Sequence, residues 1–233
     1  MTNAQLGLAR KLTAEAIGTA LLIIAVIGSG IMAQRLSPND VGLQLLENSL
    51  ATGGALIGLI LMFGSVSGAH FNPAVTLSFR LFGHQSSVET IAYICAQTIG
   101  GCVGAVLANL MFELDAINVS TKPRASGALW LSEVIATVGL LLLIHGIVRS
   151  GRGDTVPFAV GAWIGGAYWF TSSTSFANPA VTVARTLSDT FAGIKPSSAP
   201  MFIVMQFIGV AVATPLIAFL HPIDRSSAEA TRP

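Results

Sequence analysis

Charge is what this chain has least of. Only 10 % of its 233 residues are Asp, Glu, Lys or Arg, where a soluble domain carries about 25 %. The formal net charge is +1, which gives no footing for a nucleic-acid partner. There are two cysteines, Cys95 and Cys102. Seven residues along one helix separates them by about 10 Å, too far for a disulfide, so they read as apolar packing residues. The four histidines, His70, His84, His145 and His221, are scattered. None has a second ligand at metal-binding spacing. No acid–base pair or activated nucleophile stands in a credible place. No metal, cofactor or enzymatic activity is expected.

Apolar residues are abundant instead. They make up 52 % of the chain, and mean hydropathy is +0.72. This composition is that of a multi-span membrane protein. Six apolar stretches have spanning character: Thr13–Met32, Asn48–Ser65, Val88–Phe112, Leu129–Val148, Val156–Phe170 and Met201–Leu220. No cleavable signal segment is expected, because the first stretch is long enough to remain as a spanning helix. The loop after it is expected to run to Glu47. The polar segment 113–127 reads as a hinge between halves, and residues 222–233 as a disordered polar tail.

Two short stretches organise the chain. Ser67-Gly68-Ala69-His70-Phe71-Asn72-Pro73-Ala74-Val75-Thr76 and Thr174-Ser175-Phe176-Ala177-Asn178-Pro179-Ala180-Val181-Thr182 both contain Asn-Pro-Ala-Val-Thr. Asn is a favoured N-cap, and Pro is tolerated at the first helical position. Each stretch therefore starts a helix. About ten residues are too few to span, so each reads as a re-entrant half-helix, the first ending near Arg80 and the second near Phe191. Two such starts facing each other at mid-membrane place two Asn amides in a region of positive potential, where neutral solutes pass and cations are repelled.

Flanking landmarks repeat in the same order. Glu15-Ala16-Ile17-Gly18-Thr19 returns as Glu133-Val134-Ile135-Ala136-Thr137. Gln97-Thr98-Ile99-Gly100 returns as Gln206-Phe207-Ile208-Gly209. The Glu, Asn and Gln pairs lie 118, 106 and 109 positions apart. Three spans per half is an odd number, so the halves insert with opposite orientation, and the site belongs at the midplane between them. With the N-terminus inside, seven basic residues (Arg10, Lys11, Arg80, Arg149, Arg152, Arg225, Arg232) face inward. Five (Arg35, Lys122, Arg124, Arg185, Lys195) face outward. That balance favours both termini in the cytoplasm.

At SGAHFNPAVT, with a second NPA about a hundred residues later, the chain resembles the major intrinsic protein family, the aquaporins and aquaglyceroporins. The resemblance extends over roughly residues 10–221. It implies an all-α membrane protein in the aquaporin fold, with six transmembrane helices and two re-entrant half-helices in an inverted repeat. The whole chain then forms one channel domain, with repeats over about 10–112 and 128–221, in the inner (plasma) membrane. The family's usual assembly is a homotetramer. Its partners are the lipid bilayer and small neutral solutes.

The resemblance also assigns residues. Asn72, Pro73, Ala74, Asn178, Pro179 and Ala180 form the pore motif, with both Asn amides facing the solute. Glu15 and Glu133 match buried glutamates that brace the re-entrant loops. His70 matches an inner-vestibule histidine. Counting from the asparagines gives the constriction: Thr52 twenty before Asn72, Ser175 three before Asn178, Gly166 twelve before it, and Val181 directly after the second triplet. The fifth span looks about two residues short, so Trp163 or Ala167 are alternatives to Gly166.

Two departures stand out. The family usually places Arg where this chain has Val181. The nearest arginine is Arg185, one helical turn or about 5.4 Å farther out. It is expected to line the vestibule or to snorkel to the interface, and not to fill the usual site. Glycerol-conducting members usually follow that Arg with Asp, and here the residue is Thr182. The stretch STSFANPAVT resembles the bacterial S-type aquaporins associated with arsenic resistance. The expected function is passive passage of small uncharged solutes, neutral metalloids such as arsenite first, with water, glycerol or urea as further permeants. The alternatives are a general water or glycerol channel and a non-conducting structural membrane protein. Two intact NPA triplets argue against the last.

Overall fold

The computed structural model describes residues 7–222. Eight helices follow in order: α1 Leu8–Leu36, α2 Val41–Ser67, α3 Pro73–Leu81, α4 Ser87–Met111, α5 Gly127–Arg149, α6 Val156–Phe170, α7 Pro179–Ala184 and α8 Ala199–Leu220. Five of them are long and apolar enough to cross a membrane by length and composition: α1, α2, α4, α5 and α8, the last counted from Pro196. The remaining long helix, α6, has 15 residues and is entered through a 3-10 turn, Gly153–Thr155. At 1.5 Å per residue α6 alone rises roughly 22 Å. The turn before it makes up part of the difference from a hydrocarbon core about 30 Å thick. The half-helices α3 and α7 have 9 and 6 residues, too few to span.

The helix starts follow from local chemistry. Asp40 Oδ1 accepts from Leu43 N at 2.9 Å and starts α2. Ser86 Oγ accepts from Glu89 N at 3.1 Å and starts α4. Ser126 does the same for α5 with Leu129 N. Gly68, at φ 88°, ends α2 in the left-handed region, which lets the chain turn back into the membrane.

The halves pack as a swapped pair. α1 lies along α2 and α4, and α5 lies along α6 and α8. Each half-helix touches the last helix of its own half and that of the other, and α2 crosses α6 at the centre. Small residues allow these approaches. A methyl added at Gly100 or Gly104 would overlap the Ala16 or Ala20 carbonyl of α1. Gly53 lies against the Gly161 carbonyl and Gly161 against that of Gly53, so the central crossing is backbone on backbone.

Three expectations need correction. α2 begins at Val41, so the first loop is only 37–40, and Glu47 lies inside the helix, accepting from Ser37 Oγ at 2.9 Å. Hydropathy marks only the apolar middle of a helix, whereas Asp40 sets its real start. The second half-helix stops at Ala184 and continues as a 3-10 turn, Arg185–Leu187, rather than reaching Phe191. The Thr186 and Leu187 carbonyls are taken by Ser120 N and Asn118 N. The segment 113–126 is thus a strap rather than a hinge. It bonds to the chain after α7 through Thr121–Asp189, Lys122 Nζ to the Phe191 carbonyl, and Lys195 N to the Lys122 carbonyl. The tail expected from 222 onward lies, from residue 223, outside the described residues, as do Arg225 and Arg232.

Candidate functional site

The site forms where the half-helices start head to head. Asn72 caps α3, its Oδ1 accepting from Ala74 N at 2.9 Å. Asn178 caps α7, its Oδ1 accepting from Ala180 N and Val181 N at 3.0 and 3.2 Å. Each asparagine then crosses to the other loop. Asn72 Nδ2 donates to the Ala177 carbonyl at 2.7 Å, and Asn178 Nδ2 donates to the Phe71 carbonyl at 2.8 Å. A primary amide has two N–H donors. One of each pair is spent on the opposite loop, and one is left for the cavity that both residues line.

The loops carrying these asparagines are strained in the same places. Ala69 and Phe71 have φ of 50° and 47°, and Ser175 and Ala177 have 47° each. Non-glycine residues there cost roughly 1–3 kcal/mol apiece and persist only when the surroundings impose them. Two buried carboxylates impose them. Glu15 accepts from Ser67 Oγ, His70 N, Phe71 N and Gln97 Nε2 at 2.6–3.0 Å. Glu133 accepts from Phe176 N, Ala177 N and Gln206 Nε2 at 3.0, 2.8 and 2.6 Å. Every partner is a donor, the set a carboxylate needs. The glutamines complete the brace: Gln97 and Gln206 each also donate to a half-helix threonine, Thr76 and Thr182, at 2.9 Å. The two glutamines and two threonines were visible in the sequence only as repeated letters. The strict repetition was the signal that they act together.

The cavity has a volume of about 420 Å³. Part of its wall is aliphatic, with Leu56, Ile60, Leu140, Ile144 and Val160, and Phe79 and His70 also line it. His70 Nδ1 lies 3.1 Å from Thr76 Oγ1, and the ring stacks on Phe79 with centroids 4.7 Å apart. Besides the asparagines, its polar side chains include Thr52, Tyr168, Ser175 and Arg185. An apolar wall with few fixed donors gives a solute little to bind strongly, which suits passage rather than capture.

Thr52, Ser175 and Val181 line this cavity as the counting gave, but Gly166 does not. Gly166 is exposed on α6, with only Phe170 near its missing side chain. The alternatives fail too. Trp163 turns its Nε1 to the Ala136 carbonyl at 3.2 Å, and Ala167 is buried away from the cavity. Tyr168 faces the cavity instead, its hydroxyl 3.2 Å from Thr52 Oγ1. It stands two positions past Gly166, the shift that the short fifth span calls for. Arg185 is not at the interface. It is 2 % exposed, lines the cavity, and its guanidinium carbon lies 3.5 Å above the centroid of the Phe176 ring. The cavity wall near Thr52 and Ser175 therefore also carries a tyrosine and an arginine.

Comparison with known proteins agrees with this architecture. The family model described as Major intrinsic protein matches residues 2–173. The chain is 45 % identical over 230 residues to Aquaglyceroporin AqpS of Rhizobium meliloti (strain 1021), covering 97 % of this chain and 98 % of that one. It is 28 % identical over 239 residues to Probable aquaporin AqpM of Archaeoglobus fulgidus, covering 91 % and 97 %. The X-ray structure of the aquaglyceroporin from Plasmodium falciparum superposes with a TM-score of 0.72 at 21 % identity, covering 97 % of this chain and 100 % of that one. With its head-to-head Asn-Pro-Ala helices, its glutamate-braced loops and its inverted pair of three-span halves, this chain belongs to the major intrinsic protein family of multi-pass membrane channels and is not an enzyme.

Proposed function

We propose that the protein passively conducts small uncharged, hydroxyl-rich solutes, with neutral trivalent metalloid hydroxides such as arsenite favoured and water, glycerol or urea as further permeants. The observation that carries this reading is the pair of Asn amides, Asn72 and Asn178, each with one N–H spent across the midplane and one available in an otherwise apolar passage. Arsenous acid is neutral at pH 7 and resembles a polyol, so it exchanges its water for these donors at little electrostatic cost. The substrate class follows the resemblance to the S-type aquaporins, and a relative over nearly the whole chain is named an aquaglyceroporin.

A second reading is a general water and glycerol channel. Tyr168 and Arg185 favour it, because they add a bulky ring and a cation to the wall that Thr52, Ser175 and Val181 line. In either case the whole chain acts as one channel domain in the plasma membrane, with both termini cytoplasmic and one pore in each subunit of a homotetramer. Thr52, Ser175 and Val181 belong to its filter, Glu15 and Glu133 brace its loops, and His70 lines its inner vestibule.

Proteoliposomes of the purified protein separate the readings. Arsenite uptake well above empty vesicles with modest osmotic water permeability is the expected result. In Asn178→Asp the Nδ2 donor is lost and a charge is placed in the passage, so both fluxes should collapse. Fast water flux with no arsenite flux would favour the second reading.

A further inference from the structure

We propose that Arg185 is the cation that sets selectivity at the outer end of this pore, acting from one turn beyond the position that Val181 fills. The proposal rests on the channel reading above and adds the residue that decides what the channel refuses.

Arg185 is held from three sides. Its Nε donates to the Ala192 carbonyl, its guanidinium carbon lies over the Phe176 ring, and its own carbonyl accepts from Ile194 N at 3.3 Å. The turn Arg185–Leu187 that carries it is pinned by the strap, through Ser120 N to the Thr186 carbonyl at 2.9 Å. A second guanidinium, that of Arg124, stands 5.1 Å from the same ring and is anchored on the Gly193 and Ser173 carbonyls. Phe176 is thus a platform shared by two arginines, one of which reaches the cavity.

The remaining atoms point to a ligand. Neither Nη nitrogen of Arg185 makes a hydrogen bond to the protein, and neither is sealed from the cavity that the side chain lines. No ion pair reaches this arginine: the only salt bridge among the described residues is Lys11–Glu89. The carboxylate of Glu133 is committed to the loop amides. Ser175 Oγ, on the same cavity wall, is also buried without a partner. A planar fork of donors, an unpaired hydroxyl and the Thr52–Tyr168 hydroxyl pair together fit a neutral solute that carries several oxygen acceptors. A cation meets a positive charge that has no ion-pair partner, at short range in a poorly solvated site, where electrostatic repulsion is strong.

The test uses the full-length protein in liposomes. Wild type, Arg185→Ala, Arg185→Lys and Arg35→Ala are compared at matched amounts of folded protein. Arg35 is an outer-side arginine bonded to the Phe112 carbonyl, away from the cavity, and controls for general loss of surface charge. Proton leak is read with an internal pH dye under an imposed potential. Solute cut-off is read from swelling in glycerol and in four- and five-carbon polyols. Arg185→Ala should raise proton leak at least tenfold and admit the longer polyols, while Arg35→Ala matches wild type. Arg185→Lys keeps the charge but not the fork, so protons stay excluded while the size cut-off loosens. Leak and cut-off in Arg185→Ala equal to wild type would overturn the proposal. A proton leak in Arg185→Lys as large as in Arg185→Ala would do the same. A wild-type protein that conducts no neutral solute would refute the channel reading instead, which keeps the two failures distinct. Where the alanine variant does not fold, the lysine variant decides by its size cut-off: polyol swelling equal to wild type would overturn the proposal.

Discussion

Glu133→Gln is the most informative single change to the braced loops. It preserves size and shape and replaces one carboxylate oxygen by an NH2 group. Glu133 now accepts from Phe176 N at 3.0 Å, Ala177 N at 2.8 Å and Gln206 Nε2 at 2.6 Å. An amide has only one oxygen, so a donor in the variant must face one of these donors. A hydrogen bond to a charged group contributes about 1.5–3 kcal/mol, and a buried N–H left without a partner costs about 1–3 kcal/mol. The combined loss is roughly 3–6 kcal/mol. The loop it holds includes Thr174, Ser175 and Ala177, all at positive φ. Their strain, at roughly 1–3 kcal/mol each, is of the same size as the lost restraint. The loop should therefore relax and carry Ser175 and the Asn178 amide out of register. For a soluble domain of this length each kcal/mol shifts the midpoint by about 2–4 °C. On that scale the expected fall in melting temperature in detergent is about 6–24 °C. Solute flux in liposomes should fall at least tenfold. Glu133→Gln with wild-type flux and a melting temperature within about 2 °C of wild type would refute the bracing argument.

Other outcomes test the packing, the filter and the strap. Gly104→Ala forces a methyl into the Ala20 carbonyl at the α1–α4 crossing, whereas Gly58→Ala meets nothing within 4 Å. The first should lower folded yield and melting temperature sharply, and the second should leave both near wild type in the same thermal assay. Val181→Arg places a second guanidinium on the cavity wall one turn inside Arg185. Glycerol and arsenite flux should drop, and unchanged flux at equal protein level would remove residue 181 from the pore. Asp189 is held below the usual carboxylate range first by the backbone N–H of Thr121 and then by the Thr121 and Ser120 hydroxyls. A depressed pKa stabilises the folded strap above the ordinary carboxylate value, and that contribution disappears as pH falls through the lowered one. The protection factor of the Thr121 amide, its exchange rate relative to the intrinsic rate at the same pH, should therefore stay high at neutral pH and fall only in strong acid.

The sequence by itself determined the membrane setting, the inverted repeat and the midplane motif. Each is written in a local or periodic signal: apolar runs, Asn-Pro-Ala as cap and first turn, and Glu, Gln and Asn landmarks recurring in order. These residues act through their own backbone or through a partner that repeats with them, so spacing along the chain was enough to find them. The bracing contacts of Glu15 and Glu133 follow the same order in space as the landmarks do in the sequence. The tertiary structure alone decided which residues join Thr52 and Ser175 on the cavity wall. Which α6 residue faces the passage depends on how that helix is rotated against α2, where Gly53 and Gly161 meet backbone to backbone. That rotation put Tyr168, and not Gly166, on the cavity. Arg185 was placed by contacts no spacing announces: the Phe176 ring, the Ala192 carbonyl and a strap from the other side of the half-way point. A long side chain can point either to solvent or back into the protein, and only the groups packed around it choose between the two.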